Sequence, residues 1–436
     1  MTNSRRAFFG KAAAVTAAAA VSPLASFGSG LETAVEQQSL LSMPTDLRIT
    51  SVEIGYYRGL NVKLRTNQDI YGVGEGVDAV NGTYYVAENI GRRLANPNTN
   101  PLNVNRLFEE IRRSAHFGGG QSGMFVAVLS AFETALWDLA GKALGLPVYQ
   151  LLGGKFRDRL RAYVDTTFYT MGFPTPQDFY DSTVETLKQN PGLSALKYDV
   201  DFAQDPDKWD RYNWSASPGE LDRMYDQIAA ARDAAGPKIG ILVDMHGRFD
   251  YTAAQAIAKR YEKLNLTYLE EPVPAEDVTT YARIARETNT PIAGGENYYL
   301  ANSFRQLLEQ GGLDVVCPDV QKCGGIGEAQ RIANLANTYH VPFCPHVVAT
   351  YVGVMAAAHV CASIPNLLLI QMQSYHLDDP SFKETVIYDG EFFSDGHVNL
   401  MEKPGIGVDY NVEAMIGRMS ERRGGMGNQP FTLTPN

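Results

Sequence analysis

Positive charge is scarce in this 436-residue chain: 38 lysines and arginines stand against 49 acids, a formal charge of −11. No basic stripe offsets that balance, which argues against a nucleic-acid surface. A site for a small anion must then supply its own local positive charge. Cysteine is scarcer still. Cys317, Cys323, Cys344 and Cys361 match no zinc spacing, and none lies near the N-terminus where a lipid anchor would attach. Low-complexity sequence is absent, and beyond the first thirty residues no run reads as long and apolar enough to span a bilayer. What remains is ordinary globular composition, long enough for two domains or for one barrel with an attachment.

Residues 1–30 stand apart from that composition. SRRAFFGK places Arg5 and Arg6 ahead of AAAVTAAAAV and a small, Gly-rich stretch. Paired arginines before an apolar run read as a twin-arginine export signal, with an Ala-rich helix as the alternative. That route carries folded proteins, so the expectation is a periplasmic enzyme assembled in the cytoplasm, its cysteines small, buried and free. A retained signal would instead act as a membrane tether.

From about Asp46 the pattern alternates: LRITSVEIGYYRGLNVKLRT, then DIYGVGEG. Helical spacing follows in NPLNVNRLFEEIRRSA and, after HFGGGQSG, in FVAVLSAFETALWDLAGKALG, which Gly145 stops. Strands first and helices second predict a compact α+β unit over 46–155. The rhythm then changes. Eight apolar runs (LRAYVD, SALKYDVD, IGILVDMH, LTYLEEP, PIAGGEN, DVVCPDV, PFCPHVV and NLLLIQMQ) alternate with helical stretches such as DRMYDQIAAARDAA and YTAAQAIAKRYEKL. Alternation of this kind implies a parallel sheet, and eight runs suit a closed (β/α) barrel; a doubly wound open sheet is the rival.

The chemistry recurs at one place in each unit. Asp244, Glu270, Glu296, Asp319 and His346 fall at or just past the ends of successive runs, 23 to 27 residues apart. In a parallel barrel those ends form one rim, where active sites are built. Three carboxylates on adjacent strands would repel one another unless a hard cation joined them, and all-oxygen ligation favours Mg²⁺ over zinc; separate salt bridges on loops are the bland alternative. Lys197 and Asp199 share a face of the second run. Lys197 can neutralise a substrate carboxylate or a developing enolate, or pair with Asp199 or a metal ligand. Asp319 and His346, on consecutive strands, can meet so that the carboxylate fixes the imidazole tautomer and makes a general base. In ILVDMHGRFD, strand alternation would place His246 on the face of Asp244.

These residues carry a resemblance. VDMHGRF, YLEEPVP, IAGGEN, PDVQKCGGIGEA and PHVVAT, in that order, with ALWDLAGKALGLPVYQLLGG before them and PGIGVDY after, resemble the enolase superfamily, in its mandelate racemase/muconate lactonizing branch. The resemblance covers essentially everything after the signal. It implies a (β/α)7β-type modified TIM barrel over 156–385, an α/β fold, with an α+β cap over 46–155 that residues 386–436 return to complete. It implies Mg²⁺ on Asp244, Glu270 and Glu296, and a base formed by His346 with Asp319. The second lysine of the Lys-x-Lys motif used by racemases is replaced by Asp199. His246 beside Asp244 is similar to the acid of galactonate dehydratase-type enzymes, which protonates a departing β-hydroxyl; a substrate hydrogen-bonding role is the alternative. The implied function is dehydration of an aldonic or related sugar acid, by catalytic His346, Asp319, His246 and Lys197. A racemase, epimerase or cycloisomerase, or a non-catalytic sugar-acid binder, are the other readings. Where many relatives carry a glutamate on strand eight, this chain offers Gln371 and Gln373. Substrate contacts are expected from Asp199, Asn297, Gln371 and Gln373, and from cap loops about Tyr56–Asn61 and His116–Ser122, Tyr56 and His116 included. Relatives imply a homo-oligomer.

Overall fold

The computed structural model describes residues 46–77, 82–166, 173–421 and 432–433, so the twin-arginine segment lies outside the described residues. Contacts divide the chain after Asp46, and the fold below belongs to the unit from Leu47 onward. Three antiparallel strands open it: β1 (Ile49–Tyr56), β2 (Leu60–Thr66) and β3 (Tyr71–Gly76). Val52, Ile54, Val62 and Leu64 are buried on their inner side, against helices α1 (Thr83–Leu94), α2 (Val104–Ser114) and α3 (Gly123–Leu144). Helix α3 lies directly on β3. A Cβ at Gly72 would stand 2.0 Å from the Ala135 carbonyl, and one at Gly74 2.0 Å from that of Ala131, so only glycine permits the approach. Gly145 ends α3 in the left-handed region, φ 68°.

One expectation is corrected here. With 22 residues and a mean hydropathy of 1.4 in its most apolar window, α3 is long and apolar enough to cross a membrane. In this fold 78 % of that window is buried inside the protein, between the cap sheet and the barrel, which accounts for its composition.

The eight apolar runs form eight parallel staves. Six are strands: β4 (Arg159–Thr166), β5 (Ala195–Asp199), β6 (Gly240–Asp244), β7 (Tyr268–Glu270), β8 (Ile292–Gly294) and β9 (Val315–Val316). The seventh, around Phe343, is held by isolated bridges to Val316 and Leu367, because Pro342 and Pro345 withhold ladder donors. The eighth ends in β10 (Ile370–Gln373), which pairs in parallel with β4 and closes the ring. Between staves run α4 (Pro176–Gln189), α5 (Pro218–Ala235), α6 (Tyr251–Tyr261), α7 (Val278–Glu287), α8 (Leu300–Glu309), α9 (Ile326–Thr338) and α10 (Tyr351–Ser363). This is the (β/α)7β barrel, seven helices among eight staves. Several helices start where the sequence supplies an oxygen: Thr175, Ser217, Asp250, Asp277 and Thr350 each accept a backbone N–H of the first turn.

Two buried acids of the cap join it to the barrel. Glu75 of β3 accepts from Thr350 N at 2.8 Å, Thr350 Oγ1 at 2.6 Å and Gly353 N at 2.9 Å, at the start of α10. Glu133 of α3 accepts from Ile326 N at 2.7 Å and Gly327 N at 2.8 Å, at the start of α9. The C-terminal segment meets both parts. Ile406 N donates to Asp138 of α3 and Thr432–Leu433 pairs with β1, while His397–Asn399 pairs antiparallel with the start of β4.

Candidate active site

Strand register brings the acids together. Asp199 pairs with Asp244, Asp244 with Glu270, and Asp165 with Lys197. Ligand oxygens of Asp244, Glu270 and Glu296 lie within 4.8 Å of one another, and the three residues are 0 %, 0 % and 9 % exposed. Lys197 is 1 % exposed, with Nζ 2.7 Å from Asp244 Oδ2, 3.0 Å from Glu270 Oε2 and 3.7 Å from Asp165 Oδ2. One lysine does not compensate so many buried carboxylates. Burial drives Glu270 well above the usual carboxylate range, whereas His246 and Lys197 hold Asp244 below it despite burial. Glu270 Oε1 is buried without a hydrogen-bond partner among the described residues. Clustered hard oxygens, one of them open, fit a Mg²⁺-type cation.

Two imidazoles flank this cluster, each oriented by its own carboxylate. His346 Nδ1 meets Asp319 Oδ2 at 2.9 Å, and Asp319 Oδ1 is fixed by Gln321 N at 2.7 Å. The other ring nitrogen of His346, Nε2, faces Glu296 Oε2 at 2.8 Å. Burial opposes the charge on His346, but Glu296 and Asp319 outweigh it and raise the imidazole well above its ordinary value. His246 Nδ1 meets Asp201 Oδ1 at 2.9 Å, leaving Nε2 4.0 Å from both Asp199 Oδ1 and Asp244 Oδ2. Burial again opposes the charge, and Asp244, Asp201 and Asp199 overrule it, pushing His246 up to about 12. These carboxylates favour its imidazolium form.

His246 reaches this place by a route other than strand alternation. Strand β6 stops at Asp244, and His246 sits beyond it with φ 45°, its N–H donating to Asp244 Oδ1 at 2.9 Å. A left-handed residue in a turn, uncommon outside glycine, aims the ring.

The remaining candidates are distributed unevenly. Asp199 joins the cluster, lifted to about 8 by burial and then by Asp165. Asn297 donates to Glu271 Oε2 at 2.7 Å and accepts from Lys322 Nζ at 3.0 Å. Gln371 is fully buried: its carbonyl accepts from Tyr163 Oη and Val347 N, and its amide donates to Asp165 Oδ2 at 2.9 Å. Gln373 donates to the same oxygen at 3.0 Å. Tyr56 is half-buried in the cap beside Thr83, its hydroxyl raised to about 12 by burial. His116 lies exposed in the turn after α2, where its contacts are with Gln121 and Phe117. Sequence reasoning passed over Asp165, Asp201, Glu271 and Lys322. Asp165 ends LRAYVD just as Asp244 ends its own run, so the strand-end argument applied to the first run would have found it.

A closed parallel barrel with acids and paired imidazoles at its strand ends is the enolase type of catalytic barrel. The model of the enolase C-terminal domain-like family matches residues 182–415, and that of the mandelate racemase/muconate lactonizing enzyme N-terminal domain matches residues 31–153. The chain belongs to the mandelate racemase/muconate lactonizing enzyme branch of the enolase superfamily. It is 33 % identical to a D-xylonate dehydratase of Haloferax volcanii, over 86 % of this chain and 89 % of that enzyme. With a D-galactonate dehydratase of Variovorax paradoxus it shares 31 % identity, over 82 % and 90 %. A crystal structure of a mandelate racemase/muconate lactonizing enzyme-like protein from Rubrobacter xylanophilus superposes with a TM-score of 0.80 at 38 % identity, covering 86 % of this chain and 98 % of that one.

Proposed function

We propose that this chain is a Mg²⁺-dependent hydro-lyase that converts an aldonic or related sugar acid to a 2-keto-3-deoxy acid. The observation that carries this reading is the pair of carboxylate-oriented imidazoles around one acid cluster, His346 with Asp319 and His246 with Asp201. Relatives over most of the chain named as sugar-acid dehydratases support it. Asp244, Glu270 and Glu296 would hold Mg²⁺, which when bound supplies Lewis-acid stabilisation of negative charge on the substrate carboxylate. With Glu296 engaged by the cation, the largest support for charge on His346 would be removed, and His346 then accepts the proton α to that carboxylate at Nε2, while Asp319 keeps Nδ1 protonated and the ring oriented. His246 is charged before the reaction and donates the Nε2 proton to the departing β-hydroxyl. One water leaves, and the resulting enol tautomerises to the ketone. Lys197 keeps a cation at the floor of the site, where an anionic substrate needs one.

Screening a panel of acid sugars for 2-keto acid product identifies the substrate. On that substrate His346→Asn is expected to abolish both α-deuterium exchange from D₂O and dehydration. His246→Asn should slow dehydration by about 10²–10⁴, the usual worth of general acid–base assistance, while retaining measurable exchange. Dehydration at the parental rate in His246→Asn would remove the acid from this mechanism. Export to the periplasm by the twin-arginine route and assembly as a homo-oligomer belong to the same reading. Cell fractionation tests the first and native mass measurement the second.

A further inference from the structure

Lys197 and a divalent cation would draw on the same two carboxylates. The ammonium lies 2.7 Å from Asp244 and 3.0 Å from Glu270, and both carboxylates belong to the proposed metal set. A cation on that set would crowd three positive charges into a buried space, and Lys197, 1 % exposed, cannot escape to solvent. It needs a second seat inside the barrel.

Asp165 has the features of that seat. It is 5 % exposed and one stave from Lys197, in direct register with it. Oδ2 is 3.7 Å from Lys197 Nζ, so a shift of about 1 Å makes a charge-assisted hydrogen bond. The other oxygen, Oδ1, is buried with no hydrogen-bond partner among the described residues. Two amides hold the carboxyl in place: Gln371 Nε2 at 2.9 Å and Gln373 Nε2 at 3.0 Å, both on Oδ2. The Gln371 amide cannot turn round, because its oxygen already accepts from Tyr163 Oη at 2.8 Å and Val347 N at 2.9 Å. This explains why β10 presents amides at its mouth. A carboxylate at 371 or 373 would repel Asp165, whereas amide donors on Oδ2 support its negative charge.

We propose that Asp165 is a positioning residue: it takes over Lys197 when a divalent cation occupies Asp244, Glu270 and Glu296, and so sets where the ammonium stands toward the substrate. The inference rests on the metal reading above. Its test is a double-mutant cycle on cation affinity, with Mg²⁺ titrated calorimetrically into the full-length enzyme and no substrate present. Lys197→Met should tighten Mg²⁺ at least severalfold, because the competing ammonium is gone. Asp165→Asn should weaken Mg²⁺ about tenfold in the parental background, where Lys197 loses its second seat. In the Lys197→Met background the same change should cost twofold or less, the remnant being the direct effect of removing a nearby negative charge. A ratio between the two penalties above three supports the proposal, and a ratio of three or below overturns it. Asp165→Ser repeats the cycle with a smaller polar side chain should the asparagine variant not fold. Failure of the parental enzyme to bind Mg²⁺ would overturn the metal reading and this proposal with it; independent penalties overturn this proposal alone.

Discussion

Replacing Glu133 by glutamine tests how cap and barrel are joined. Its carboxylate accepts from Ile326 N, Gly327 N and, at 2.6 Å, Trp137 Nε1, with 2 % of the residue exposed. Glutamine keeps the volume, but its amide nitrogen must confront at least one of those donors. A buried donor left unpaired costs about 1–3 kcal/mol, the loss expected at pH 5. The pH dependence carries a second signature. Burial, only partly offset by its three donors, lifts Glu133 from 4.5 to about 8. The folded state therefore holds a proton that the unfolded state releases between those values. This contribution to stability is complete below pH 4.5 and lost as pH rises through 8, on the order of 4–5 kcal/mol at most. Glutamine does not titrate, so the parental advantage seen at pH 5 should shrink and reverse by pH 8.5. Urea unfolding followed by tryptophan fluorescence reads this directly, since Trp137 touches the site. A parental advantage unchanged in sign and size between the two pH values would mean that Glu133 is ionised throughout, and a variant as stable as the parent at pH 5 would refute the capping argument.

Further outcomes follow from the same structure. Asp244→Asn, Glu270→Gln and Glu296→Gln should each weaken Mg²⁺ binding by calorimetry, and unchanged affinity in all three would remove the metal site. Replacing Arg5 and Arg6 together by lysine preserves charge but should block export; continued periplasmic accumulation on fractionation would contradict the twin-arginine route. Burial depresses His359 and His376 from 6.5 to about 4, so both are neutral in the folded protein and take up protons on unfolding. Their share of stability is full above pH 6.5 and lost as pH falls through 4. Substituting either by an apolar residue should therefore flatten the acid limb of the stability curve, and an unaltered limb would show that neither titrates on unfolding.

The barrel was legible because parallel staves, covered on both faces, read as short unbroken apolar runs separated by amphipathic helices. All eight runs became staves in chain order. The seventh, PFCPHVV, is the least regular, since its prolines reduce it to isolated bridges. Two features had no local signal. The C-terminal segment's pairing with the base of β4 involves three residues, His397–Asn399, too few for any periodicity. Helix α3 carries acids inside an otherwise apolar sequence, and their partners lie far along the chain: Glu133 meets Ile326, 193 residues away. No spacing rule connects them.

Residues whose placement follows from position along one strand were readable; contacts that depend on a neighbour across the ring were not. Asp244, Glu270, Glu296, Asp319 and His346 each end a stave, and alignment of stave ends is what a barrel rim means. Gln371 and Gln373 also end a stave, which suggested contact with substrate. Their amides close on Asp165 of the adjoining stave, a contact that exists only because β10 pairs with β4. Ring closure between the first and last staves is the least local event in the fold, and it makes two side chains of the last stave the support of an acid on the first. The same closure puts an acid that ends the first run in register with Lys197, near the centre of the chemistry. The eighth stave thus touches the site through Asp165, so the effect of its glutamines is to be measured at Lys197 and the acid cluster, where the cation-affinity cycle reads it.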